Sequence, residues 1–180
     1  IHAANKPLAE EVDLRQIAQR TPGFTGADLA NLLNEAAIVT VRRGEKRISS
    51  RSILESIEKV LLGPERKSRV MSEKDRKMTA YHEAGHAVVG FFSEHADPVR
   101  KISIISRGHA GGYTLKMPSE DKNYHTKAEF LADIAVALGG YVAEKMIYGE
   151  DNVSTGPSSD LRTATQLARS LVMDYGMSDA

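Results

Sequence analysis

The sequence predicts a mainly α protein with one small β-sheet, arranged as two regions joined by a charged linker. Apolar residues recur at spacings of three and four over most of the chain. Most of these runs open at a Ser or Thr suited to capping a helix, and several close at a glycine. One stretch, residues 99–117, is instead β-branched around a glycine-containing turn, in the manner of paired strands.

Taken in order, a short helix is expected around residues 13–19. Thr25 with Asp28 three positions later forms a capping-box-like start, with Gly26 and Ala27 in the first turn. Leu29, Leu32, Leu33, Ala36 and Val39 give that helix an apolar face, Arg42 and Arg43 suit its C-terminal dipole, and Gly44 ends it. After Ser49 and Ser50, a third helix carries Ile53, Leu54, Ile57, Val60 and Leu61, and stops at Gly63 and Pro64. Three short helices bury too little surface to be expected to stand alone, so residues 1–63 read as part of a larger domain. Residues 64–72, polar and basic, read as the linker.

The second region, residues 73–180, opens with a helix expected over 73–94, capped by Ser72 with Asp75. Met78, Tyr81, Gly85, Val88 and Phe92 form its expected core stripe, with His82, His86 and Val89 along the rim. Gly85 sits mid-helix, where glycine costs about 1 kcal/mol against alanine, and close approach of another backbone would account for it. Strands follow at 99–105 and 113–117, with a turn at 108–112. Thr126, with Glu129 at the third position, opens a helix over 127–148. The last helix, 158–175, carries Leu161, Ala164, Ala168, Leu171 and Tyr175 as its apolar stripe.

Composition narrows the function. The 180 residues include 24 basic and 24 acidic side chains, so no basic footprint points to nucleic acid. Without cysteine, disulfides and thiolate metal sites are excluded, which leaves His, Asp and Glu as the good zinc ligands. The longest apolar run, 134–143, contains two glycines and is far short of the ~20 residues of a spanning helix. No signal peptide is visible. The chain opens at Ile1 without a methionine and reads as a piece of something longer.

The chemistry is concentrated in His82-Glu83-Ala84-Gly85-His86. Two histidines four apart on a helix project from one face, so both imidazoles can reach one zinc ion. Glu83 is then placed to take a proton from a water that the ion activates. A catalytic site needs a third protein ligand. The metzincin pattern would put it at a histidine six residues on, but Phe92 stands there and Val89 replaces the accompanying glycine. Glu94, Asp97, Glu144 and Asp160 remain. Asp160 borders the last apolar stripe, and Glu144 lies inside the long helix, so spacing leaves both open. His95, His109 and His125 read as surface or loop histidines.

Several longer stretches resemble the FtsH family of membrane-anchored, ATP-dependent AAA+ zinc proteases. They include Thr21-Pro22-Gly23-Phe24-Thr25-Gly26-Ala27-Asp28-Leu29, Asn31-Leu32-Leu33-Asn34-Glu35-Ala36-Ala37 and Gly63-Pro64-Glu65-Arg66-Lys67-Ser68. Tyr81-His82-Glu83-Ala84-Gly85-His86-Ala87, Gly112-Tyr113-Thr114, Gly139-Gly140, Ala143-Glu144, Ser154-Thr155-Gly156, Asp160-Leu161 and Tyr175-Gly176-Met177-Ser178 continue the match. The resemblance implies that residues 1–63 are the helical lid of an AAA+ ATPase module and that residues 73–180 are the first part of a zinc peptidase domain. It implies His82, His86 and Asp160 as zinc ligands, Glu83 as catalytic base, and Gly26 and Ala27 near the nucleotide. It further implies ATP with Mg2+ in the full-length protein, a homohexamer, and unfolded or membrane proteins as substrates. Anchoring would be through other segments, with this portion on the cytoplasmic side of an inner membrane, or in an organellar membrane in a eukaryote. The departures are Tyr141, Lys145 and Ser159, none at a ligand position. A proteolytically dead assembly module and a zinc hydrolase of non-peptide bonds are the rival readings; the intact Glu83 and ligand positions count against the first.

Overall fold

A computed structural model describes residues 1–65, 71–107, 111–117, 122 and 124–178. The chain divides into two compact units, Ile1–Glu65 and Arg66–Ala180. Among the described residues it is mainly helical with one two-stranded antiparallel sheet.

In the first unit, α1 spans Leu14–Gln19, α2 Gly26–Arg42 and α3 Ser50–Leu62. The capping box at α2 is reciprocal: Thr25 Oγ1 accepts the Asp28 N–H, and Asp28 Oδ2 accepts the Thr25 N–H. The Thr25 hydroxyl and N–H hold the Asp28 carboxyl below its usual value. The core of the unit includes Leu32, Leu33 and Ala36 of α2, Ile53 and Ile57 of α3, and Ile48, which bridges in parallel to Leu8. Ser52 and Ser56, buried on α3, are small enough for a neighbouring helix to approach, and Ser56 donates to the Ser52 carbonyl. Lys59 pairs with Glu35 and Arg43 with Glu55, each linking α3 to the α2 segment.

The second unit holds α4 (Glu73–Phe92), β1 (Val99–Ser103), β2 (Tyr113–Lys116), α5 (Lys127–Tyr148), a 3-10 turn (Glu150–Asn152) and α6 (Ser158–Met173). In the sheet, Ile102 faces Thr114 and Ser103 faces Tyr113, with an irregularity between Val99 and Lys101. β1 ends earlier than expected because the Ile105 N–H is taken by Ser103 Oγ, which removes it from any ladder. Residues 108–110 of the expected turn, His109 among them, and most of the linker lie outside the described residues. α5 keeps its expected bounds, opened by a second reciprocal capping box between Thr126 and Glu129. Lys122 and Thr126 hold the Glu129 carboxyl down at about 2.

The buried face of α4 differs from the expected one. Glu83, His86, Ala87 and Gly90 are buried, while Tyr81, Val88 and Phe92 are exposed, Phe92 by 81%. The cause is the α4–α5 crossing. A Cβ on Gly85 would lie 2.3 Å from the Gly139 carbonyl oxygen, and one on Gly139 2.7 Å from that of Gly85. Two backbones this close leave room for small residues and for flat polar side chains at the seam, not for an aromatic stripe. The α6 stripe is likewise narrower than expected: Ala164 and Leu171 are buried, but Leu161, Ala168 and Tyr175 are exposed. α6 also stops two residues early. The Tyr175 N–H turns back to the Ser170 carbonyl and the Met177 N–H to Leu171, around Gly176 at φ 60°.

Candidate metal centre

His82 and His86 stand one turn apart on α4 and share a face, as their spacing requires. Asp160, in the first turn of α6, reaches the same point. His82 Nε2 and His86 Nε2 are 3.0 Å apart. Asp160 Oδ2 is 3.1 Å from the first and 3.6 Å from the second. Donor atoms on a tetrahedral ion with bonds of about 2.0–2.2 Å sit about 3.3 Å from one another, so the triangle has the right size for zinc.

The hydrogen bonds on the far side of each ring make the case chemical as well as geometric. His86 Nδ1 lies 2.7 Å from the Val136 carbonyl, an acceptor only, so Nδ1 carries the proton and donates. His82 Nδ1 donates in the same way to Glu144 Oε1 at 2.9 Å. Each neutral ring therefore turns a bare Nε2 lone pair inward, and Asp160 Oδ2, buried and without a hydrogen-bond donor, completes a set of three acceptors. Three acceptors meeting at one buried point demand positive charge between them. Burial opposes charge on His82, yet the facing Asp160 carboxylate, with Glu83 and Glu144 nearby, raises its pKa. Burial would raise Asp160, but the two imidazoles hold it well below the usual carboxylate range. A second ring proton on a histidine is one way to supply the charge. A divalent cation held by all three atoms is the other, and the imidazole and carboxylate donors suit zinc.

Glu144 is almost completely buried, and its two oxygens do separate jobs. Oε1 fixes the His82 tautomer, and Oε2 accepts the Ser154 N–H at 2.8 Å, which ties α5 to the loop that leads into α6 and Asp160. Gly140 makes the arrangement possible: a Cβ there would lie 2.5 Å from His82 Cε1. Glu83 lies beside the triangle, buried, with Thr114 Oγ1 donating to its Oε2 at 2.9 Å. Burial pushes the Glu83 carboxyl up, partly countered by the Thr114 hydrogen bond. His82, Glu83, His86, Thr114, Glu144 and Asp160 line one cavity of about 800 Å3, with Met78, Val136 and Leu167 giving it apolar wall.

His82, Glu83, His86 and Asp160 are thus brought together, and Glu144 meets His82 from behind instead of joining the triangle. Gly26 and Ala27 are exposed at the start of α2, in the other unit. His95 and His125 are exposed. Sequence reasoning missed what Thr114, Gly140 and the Ser154 N–H do. Paired glycines inside a long helix were the one local signal for Gly140; nothing local links Thr114 or Ser154 to the site.

Residues 69–180 match the model of peptidase family M41, and residues 11–55 match that of an AAA+ lid domain. A Veillonella parvula protein named ATP-dependent zinc metalloprotease FtsH is 57% identical over 99% of this chain and 28% of its own length. A protein of the same name from Caldicellulosiruptor bescii is 54% identical over 99% of this chain and 29% of its own length. The chain therefore spans less than a third of these curated relatives. A helix bearing two inward-facing histidines and a glutamate, met by an aspartate from a later helix, is what the family match covers from end to end: the chain belongs to peptidase family M41.

Proposed function

We propose that the chain is the lid and the first part of the peptidase domain of an ATP-dependent zinc endopeptidase. Residues 1–63 would be the AAA+ lid, with Gly26 and Ala27 bordering the nucleotide, residues 64–72 the linker, and residues 73–180 the peptidase portion. The observation that carries the proteolytic reading is the meeting of His82 Nε2, His86 Nε2 and Asp160 Oδ2, with Glu83 beside them in one cavity. When bound, zinc supplies Lewis-acid polarisation of a carbonyl and acidification of a water.

The protein's own residues do the rest. Glu83 takes a proton at its carboxylate from the attacking water and returns it to the leaving amine. Glu144 and the Val136 carbonyl keep His82 and His86 in the tautomer that leaves Nε2 free to ligate. β2 borders the cavity and offers strand backbone, so an extended peptide could pair along it with little regard for sequence. That mode suits unfolded and membrane-protein substrates. ATP with Mg2+, a homohexamer and anchoring at an inner or organellar membrane with this portion on the cytoplasmic side would belong to the full-length protein. Among the described residues no helix is long and apolar enough to cross a membrane.

The test uses the full-length protein. Glu83→Gln should keep its zinc and its ATPase activity while losing casein hydrolysis, because an amide cannot accept the proton. His86→Ala and Asp160→Asn should lose zinc, whereas Glu144→Gln should retain it more weakly. Zinc lost from Glu144→Gln but kept with unchanged geometry in Asp160→Asn would overturn the ligand assignment.

A further inference from the structure

We propose that Thr114 is a positioning residue for Glu83: its hydroxyl and the bare Gly112 backbone hold the carboxylate in one orientation beside the metal triangle. The inference rests on the reading of Glu83 as base. Thr114 Oγ1 lies 2.9 Å from Glu83 Oε2 and 3.0 Å from the Glu83 main-chain oxygen. Thr114 is itself fixed by the sheet, where it pairs with Ile102. The other carboxylate oxygen is held by shape. A Cβ on Gly112 would lie 2.9 Å from Glu83 Oε1, 2.7 Å from the Ser103 carbonyl oxygen and 2.7 Å from Thr79 Cγ2, so only a residue without a side chain leaves the carboxylate its place.

Towards the ionised carboxylate, Thr114 donates to Oε2. When the proton taken from water sits on Oε1, Oε2 remains an acceptor and keeps the Thr114 hydrogen bond. Both states keep a hydrogen bond without movement of heavy atoms. Glu83 therefore need not leave its position between accepting the proton and delivering it, which is where loose geometry costs rate.

Thr114→Val, Thr114→Ser and Glu83→Gln in the full-length protein test this. Valine keeps the shape and loses the hydroxyl; serine keeps the hydroxyl. Thr114→Val is expected to lower kcat on casein about 10–100-fold, with KM, zinc content and melting temperature unchanged. Its crystal structure should have the Glu83 carboxylate spread over more than one rotamer, and Thr114→Ser should restore the rate. An unchanged kcat in Thr114→Val, a Glu83 carboxylate still in place, or a serine variant as impaired as the valine one would overturn the inference. Loss of zinc or of fold in Thr114→Val, not repaired by serine, would also overturn it, in favour of a purely structural hydroxyl. Hydrolysis by Glu83→Gln would instead sink the base reading itself, whatever Thr114 does.

Discussion

A single methyl group separates a glycine that admits the His82 ring from an alanine that excludes it. With a Cβ at residue 140 only 2.5 Å from Cε1 and 2.7 Å from both ring nitrogens, the imidazole must tilt or withdraw. It cannot do so without giving up the Glu144 hydrogen bond on one side or its place in the triangle on the other. Gly140→Ala is therefore expected to weaken zinc retention by about 10–100-fold, the usual effect of disturbing a ligand's support, while secondary structure persists. Competition with a chelator of known affinity measures it, and a variant that held zinc as tightly as the parent would mean that the ring has room to move. At this scale the sequence was legible where chemistry is local. His82, Glu83 and His86 follow from a spacing within one helix. Asp160 and Glu144 could not be ranked from spacing, because their roles depend on which oxygen faces which ring nitrogen across three helices.

Helices α4 and α5 show why periodicity misassigned a face that residue types could have suggested. The expected stripe grouped Gly85 with the large residues Met78, Tyr81, Val88 and Phe92, but the seam is built from Gly85, Gly90, Gly139, Gly140 and Ala143, small residues that score poorly as hydrophobes and pack closest. Capping signals did better, since a cap needs only neighbours in sequence: Thr25 with Asp28 and Thr126 with Glu129 open α2 and α5 as expected. The glycine seam makes a quantitative prediction. Alanine in a helix interior ordinarily stabilises by about 1 kcal/mol over glycine. At residue 139 its methyl would meet the Gly85 carbonyl oxygen at 2.7 Å and carbon at 2.9 Å, backbone atoms with no rotamer to change. Gly139→Ala should therefore destabilise the protein by about 1–3 kcal/mol, the range for overpacking a tight interior, against the sign of helix propensity. Thermal or urea unfolding checks it; a stabilised variant would mean that the helices separate freely.

Across the whole chain, the candidate metal site lies within Arg66–Ala180, and the proposed nucleotide-bordering residues Gly26 and Ala27 lie within Ile1–Glu65. Affinity for a nucleoside triphosphate in AAA-type modules comes from a glycine-rich loop with its lysine and from a magnesium site. The 180 residues contain no G-x-x-x-x-G-K-[ST] match. What Gly26 and Ala27 can offer is the exposed start of α2, where free N–H groups would favour an anion. Asp28 already sits in that first turn, and its capping hydrogen bonds hold its carboxyl below the usual value, so at neutral pH it opposes an approaching phosphate. Calorimetric titration of this chain with ATP and Mg2+ is therefore expected to give no binding at micromolar concentrations. The lid would contribute contacts only once joined to the phosphate-binding part of the full-length protein. A clean micromolar isotherm would put a nucleotide site in these residues and overturn the reading of residues 1–63 as a lid that depends on the rest of its module.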